Sequence, residues 1–204
     1  RKPEMAKQIA MTRLSQGQKL HERVDVTNDL HYLSSVCDII FPIVPSAFFR
    51  KMIRDLSPWL KPHHFLIHGT KGLIVNEDKW HDGKPDKTLM PEDVFTMSRV
   101  IRKETLVVRV GCLAGPNLSK ELADGQPAAT VVASRFDEVI REGQRLLRNE
   151  LFQVYGSKDM TGIELAGAHN ILGKGGHDTD ENDQRNTLAD TPCGYHFSKP
   201  QQET

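Results

Sequence analysis

Five short apolar runs, separated by segments of helical spacing, restrict this chain to alternating strands and helices. They are Asp38–Val44, Phe65–His68, Leu106–Leu113, Ala128–Ser134 and Phe152–Tyr155. A run that is apolar at successive positions reads as a strand covered on both faces, which is the environment of a parallel sheet. The segments between them show helical spacing instead. Phe48, Phe49, Met52, Ile53, Leu56, Trp59 and Leu60 give one apolar stripe after the first run. Val94, Met97, Val100 and Ile101 give a second, and Phe136, Val139, Ile140, Leu146 and Leu147 a third. Strands alternating with amphipathic helices predict an α/β fold with a mostly parallel sheet.

Several classes of function drop out at once. Lys plus Arg and Asp plus Glu are equal at 27 each, so the basic excess that marks a nucleic-acid footprint is missing. No apolar run approaches the roughly 18 residues of a membrane span. The cysteines Cys37, Cys112 and Cys193 show neither paired spacing nor a C-x-x-C motif, which suits a reducing cytosol. Arg1-Lys2-Pro3 in place of an initiator Met reads as an N-terminally incomplete sequence.

Residues 1–23 are polar with a weak helical pattern through Met5, Ile9, Ala10 and Leu14. Val24–Thr27 reads as a short strand and Asn28–Leu33 as a brief helix capped by Thr27 or Asn28. Pro42 inside the first apolar run calls for a bulge or an edge position, because proline removes a ladder hydrogen bond. Ser46 is positioned to cap the helix that follows. His63, His64 and His68 cluster in sequence, but no carboxylate joins them at metal spacing, so no metal is expected. His81–Asp86 reads as an exposed loop. Pro91, Glu92 and Asp93 open a helix in the usual way. Ser134 and Asp137 form a capping-box-like start for the third helix. Met160–Leu172 begins a further helix, and residues 173–204 are polar and turn-rich, the composition of a disordered tail.

Two turns carry the chemistry. Gly69-Thr-Lys-Gly72 follows the second apolar run. Gly111-Cys-Leu-Ala-Gly-Pro-Asn-Leu-Ser-Lys-Glu-Leu-Ala123 includes the end of the third and leads into a helix-like stretch. Glycines let a ligand approach the backbone, helix-start N–H groups can face an anion, and Lys71 brings a cation to the same place. Together with Thr27–Leu30, Cys37–Ile40, Val44-Pro45-Ser46, Gln126–Ser134, Phe152–Tyr155 and Gly162–Ala168, these turns resemble the NAD(P)-dependent glycerol-3-phosphate dehydrogenases. The resemblance covers about residues 20–172 and is carried by the order of all these motifs.

That resemblance implies a partial Rossmann-like domain over residues 1–172, lacking its first βαβ unit and the helical substrate domain. It implies reversible hydride transfer between NAD or NADP and dihydroxyacetone phosphate, giving sn-glycerol 3-phosphate, in glycerol-3-phosphate metabolism and phospholipid biosynthesis. On this pattern Lys71, Gly115 and Asn117 contact substrate, while Pro45, Phe48 (or Phe49), Lys71 and Ser119 lie at the cofactor. Glu121 and Glu164 match acids that bond backbone at helix starts. The family's proton-donating lysine falls where this chain reads Ala166-Gly-Ala-His-Asn170, one residue shorter and without lysine. His169 stands nearest to it, with Lys174 further off. Nowhere does the chain contain Gly-x-Gly-x-x-Gly, the turn that cradles a dinucleotide pyrophosphate. A truncated, non-catalytic remnant with a binding role is therefore the alternative, and a related hydroxyacid dehydrogenase ranks below both. The apolar faces that a missing unit would cover favour self-association, a homo-oligomer included.

Overall fold

Side chains alternate along Phe65–His68, and that alternation sets the layers. Leu66 and His68 face one side of the sheet and Phe65 and Ile67 the other. A computed structural model describes residues 3–15, 17–81, 84–85, 87–88, 90–115 and 122–172. The elements, in chain order, are α1 (Pro3–Thr12), β1 (Leu14–Ser15), β2 (Gln18–Lys19), α2 (Leu30–Val36), β3 (Ile39–Ile40), α3 (Ser46–Leu56), β4 (Phe65–His68) and β5 (Leu73–Val75). Then follow β6 (Trp80–His81), β7 (Lys84–Pro85), β8 (Val94–Thr96), α4 (Met97–Glu104), β9 (Arg109–Ala114), β10 (Ala128–Ser134), α5 (Asp137–Leu147), β11 (Phe152–Ser157) and α6 (Met160–Leu172).

The central sheet has five strands in the order β11-β10-β9-β4-β3. Strands β3, β4 and β9 are parallel, β10 runs against β9, and β11 is parallel to β10. Helices cover both faces. Phe49, Ile53 and Leu56 of α3 and Met97, Val100 and Ile101 of α4 pack with Leu66 and Val110 into one buried cluster. Val139 of α5 packs with Ile67, Val132 and Val154 on the opposite face. Each fully buried side chain of this size stabilises the fold by roughly 1.5–3 kcal/mol, which is why two modest helices suffice to anchor the first face. Glu104, near the end of α4, accepts a 2.9 Å bond from Arg54 Nε and lies 3.5 Å from Arg50 Nε, tying α4 to α3. This is the expected α/β architecture with a mostly parallel sheet.

Several local expectations change. The first run forms strand only at Ile39–Ile40, and β3 is the sheet's edge, the place where Pro42 is tolerated. Val24–Thr27 is irregular, and α2 starts later than expected. Its cap is Asp29, whose carboxylate accepts from the N–H groups of His31 and Tyr32, while Thr27 Oγ1 accepts from Asp29 N–H. Ser46 makes no cap bond, because the helix already begins at Ser46 with Pro45 before it. Pro91–Asp93 forms a single 3-10 turn rather than a helix start, and Val94 belongs to β8, which pairs antiparallel with β5. Thr96 caps α4 in its place. Leu106 and Val108 stay outside the strand and are exposed. Ser134 Oγ donates to Val110 O at 2.7 Å and accepts from Phe136 N–H at 3.1 Å, short of the helix itself, so α5, with Phe136 at its N-cap, begins without a side-chain cap. Part of the His81–Asp86 loop and all of residues 173–204 lie outside the described residues.

Candidate functional site

Parallel strands β3, β4 and β9 end together, and the turns that leave them meet there. Thr70 stitches the first two turns. Its hydroxyl donates to Val44 O at 2.7 Å and accepts from Val44 N–H at 3.3 Å. Gly72 has φ of 122°, a conformation L side chains rarely adopt, and its backbone runs against Ser46. A Cβ on Gly69 would come within 3.3 Å of Ile43, so the Val44–Ser46 and Gly69–Gly72 turns are in direct contact. The carboxyl ends of strands in such a sheet are where ligands bind, so these turns sit in the favoured position.

Lys71 leans from this turn to the end of β9, where its ammonium donates to Gly115 O at 2.9 Å. Burial lowers its pKa from the ordinary lysine value. The opposite wall is α6. A Cβ on Gly167 would lie 3.9 Å from both Lys71 Cγ and Ala114 Cβ, so the small residue there lets helix, lysine and strand end close into one cleft.

Beneath the lysine lies a buried polar cluster. Glu164 of α6 accepts 2.9 Å from Ser98 N–H and 2.6 Å from Ser98 Oγ, the second residue of α4. Its Oε1 is also 3.1 Å from His68 Nε2, with both side chains almost wholly buried. Burial pushes the Glu164 carboxyl up, but the bond and charge of His68, with the two Ser98 donors, outweigh it and leave the pKa below its ordinary value. Cys112, paired in register with His68, has its thiol pushed up by burial and by the Glu164 charge, so it behaves as a small apolar residue.

The site residues expected from sequence fall into three groups. Lys71 and Gly115 are brought together directly. Pro45 lies one turn away, and Phe48 is 63% exposed at the start of α3, whereas Phe49 is fully buried with its ring edge-on to His68. Asn117, Ser119 and Glu121 lie outside the described residues, as do Pro116 and Lys174. His169 belongs to α6, and its side chain is likewise outside what is described. Glu164 bonds backbone at a helix start, as its pattern implied.

The three histidines part company. His64 is buried, donating from Nε2 to Ser34 O at 2.9 Å and accepting Lys61 N–H at Nδ1, while His63 is exposed beside Asp38. Sequence reasoning missed the partnership of His68 and Ser98 with Glu164. The available signals were strand alternation, which puts His68 on the Leu66 face, and an acid set among Ile163, Leu165 and Ala166.

Residues 1–140 match the family model described as NAD-dependent glycerol-3-phosphate dehydrogenase N-terminus. The glycerol-3-phosphate dehydrogenase [NAD(P)+] of Saccharophagus degradans is 34% identical over 152 residues, covering 74% of this chain and 38% of that protein. Its counterpart in Pseudomonas aeruginosa is 34% identical over 172 residues, covering 82% and 46% respectively. The chain thus spans less than half the length of these curated relatives. Among solved structures, the glycerol-3-phosphate dehydrogenase of Coxiella burnetii superposes with a TM-score of 0.65 at 22% identity, over 81% of this chain and 47% of that one. An enzyme of Dunaliella salina gives 0.67 at 19%, over 81% and 27%. At those identities the structures speak for the fold. Taken with the matched sequence, the meeting of the Thr-Lys-Gly turn, the Gly115 turn and the Glu164 helix in one cleft places this chain in the NAD-dependent glycerol-3-phosphate dehydrogenase family.

Proposed function

We propose that residues 1–172 are part of the NAD(P)-binding domain of a glycerol-3-phosphate dehydrogenase, and that the cleft at Lys71 takes dihydroxyacetone phosphate or sn-glycerol 3-phosphate. The observation that carries this reading is the half-buried Lys71 ammonium, held at the joint ends of β4 and β9 by its bond to the Gly115 carbonyl. A lysine kept there by the Gly69–Gly72 turn is suited to an anionic, carbonyl-bearing substrate, because a fixed cation stabilises charge as it develops on oxygen.

The open strand ends, with Gly72 in its left-handed conformation and Phe48 exposed at the start of α3, fit the nicotinamide end of the cofactor. Pro45, Phe48, Lys71 and Ser119 would hold that end. When bound, NAD(P)H supplies the hydride to the substrate carbonyl. Gly115 and Asn117 would position the substrate beside Lys71. A proton must reach the developing alkoxide, and in this reading His169 is the group on α6 assigned to deliver it. Lys71 itself must remain protonated to hold the substrate anion.

The test is oxidation of NADH and NADPH by the purified chain with dihydroxyacetone phosphate, beside Lys71→Met. Turnover that falls by about two orders of magnitude or more in the variant is the expected result. Substrate affinity should also fall as pH rises through the lowered lysine pKa, ahead of the ordinary value of about 10.4. A second reading, a binding module without turnover, is favoured by the lack of a lysine in Ala166–Asn170. Calorimetric binding of nucleotide or substrate without turnover would select it.

A further inference from the structure

We propose that His68 is a positioning residue for Lys71, gripping α6 with one ring nitrogen and the turn that carries the lysine with the other. The inference rests on the dehydrogenase reading only for what Lys71 binds. Nε2 of His68 stands 3.1 Å from Glu164 Oε1, and Nδ1 is 3.3 Å from Thr70 O, the carbonyl immediately before Lys71. A carboxylate and a carbonyl both accept and never donate. Thr70 O therefore takes its proton from Nδ1, while Nε2 stands at ion-pair distance from the Glu164 carboxylate without the alignment of a hydrogen bond. Glu164, for its part, also accepts from Ser98 N–H and Oγ and is thereby anchored to the start of α4.

The line Ser98–Glu164–His68–Thr70 therefore joins α4, α6 and the Gly69–Gly72 turn. A turn fixed at Thr70 O, with Thr70 Oγ1 bonded to Val44, leaves its next residue little freedom. Lys71 is consequently directed across the cleft to Gly115 O rather than out to solvent. Sites of this kind need supporting groups that lock the functional side chain, and a buried charge pair does so because either partner alone is costly. The charged and titratable groups facing His68 are Glu164 from α6, Cys112 from β9 and Lys71 from the turn. Arg102 of α4 acts on Glu164, and Asp159 acts on Cys112.

The experiment is acetylation of the full chain over a pH series, with the rate at Lys71 followed by peptide mass spectrometry and the exposed Lys51 as internal control. His68→Gln keeps a donor for Glu164 and loses the one for Thr70 O. The expected result is a rise in the Lys71 midpoint toward the ordinary lysine value, seen as slower acetylation of Lys71 at fixed pH, with Lys51 unchanged. An unchanged Lys71 midpoint in a folded His68→Gln chain would overturn the proposal, since a purely structural link to α6 survives in that variant.

A measurement on the unaltered chain guards against a variant that does not fold. Nitrogen-15 spectra should show a slowly exchanging proton on His68 Nδ1, held by Thr70 O. A rapidly exchanging or missing proton at Nδ1 would also sink the proposal. Protection of Lys71 by dihydroxyacetone phosphate in the unaltered chain tests the dehydrogenase reading separately, because the His68→Gln shift is read with no ligand present.

Discussion

Deleting the Glu164 carboxylate leaves the buried His68 ring and the Ser98 N–H without their acceptor. Glu164→Ala should therefore cost about 3–5 kcal/mol, seen as a lower midpoint in urea unfolding with an unchanged slope. The pH dependence has a definite sign. Glu164 has a pKa lowered by folding, so its stabilisation is present above the ordinary glutamate value of about 4.3 and disappears as pH falls through the folded value. Glu164→Gln should flatten stability against pH across that acid window, which thermal melts at a series of pH values would reveal. Lys71 acts at the other end of the scale. Its pKa is also lowered, but for a base this means that folding is disfavoured while the lysine is charged, and stability gains as pH rises from the folded value toward about 10.4.

Helix α5 shows how closely an element can be laid on the sheet. A Cβ on Gly143 would sit 2.9 and 3.0 Å from the two methyl groups of Val132, and one on Gly156 of β11 would sit 2.7 Å from Ile140 Cγ2. These neighbours are branched and buried, so they cannot swing aside. In an exposed helix Gly→Ala gains about 1 kcal/mol of propensity, but here overlap decides the sign. Gly143→Ala should destabilise by about 1–3 kcal/mol in chemical denaturation.

The same elements show what can be read from sequence. β4 and β10 were legible to the residue, because their apolar runs are bounded by clear turn residues, while α6 was read from the family resemblance. The β5–β8 ribbon was not, since three-residue strands carry too little pattern and Val94 fits a helical stripe equally well. At the site, Lys71 and Gly115 were legible from turn chemistry. The Ser98–Glu164–His68 link was hidden because it joins three segments that only tertiary packing brings together.

For the molecule as a whole, the exposed margin lies at β3. This edge strand is only two residues long, and Ile43 and Phe48 beside it are 64% and 63% exposed. Among the described residues, no strand pairs with its outer side. An open edge with apolar neighbours is a template for association. Sedimentation of the isolated chain should show concentration-dependent self-association, and Ile43→Lys should weaken it without moving the denaturation midpoint. Among the described residues, no helix is long and apolar enough to cross a membrane. The reversal of direction at β10 has one further effect. Because β11 follows β10, α6 starts beside Cys112 and Val110 and climbs to reach Ala114 with Gly167. Mechanically, the helix is held like a strap fastened at Met160, Glu164 and Gly167. Tension applied at Leu172 would lift Gly167 first and strain the Glu164 anchorage next, so the cleft would gape while the five-stranded sheet stayed whole.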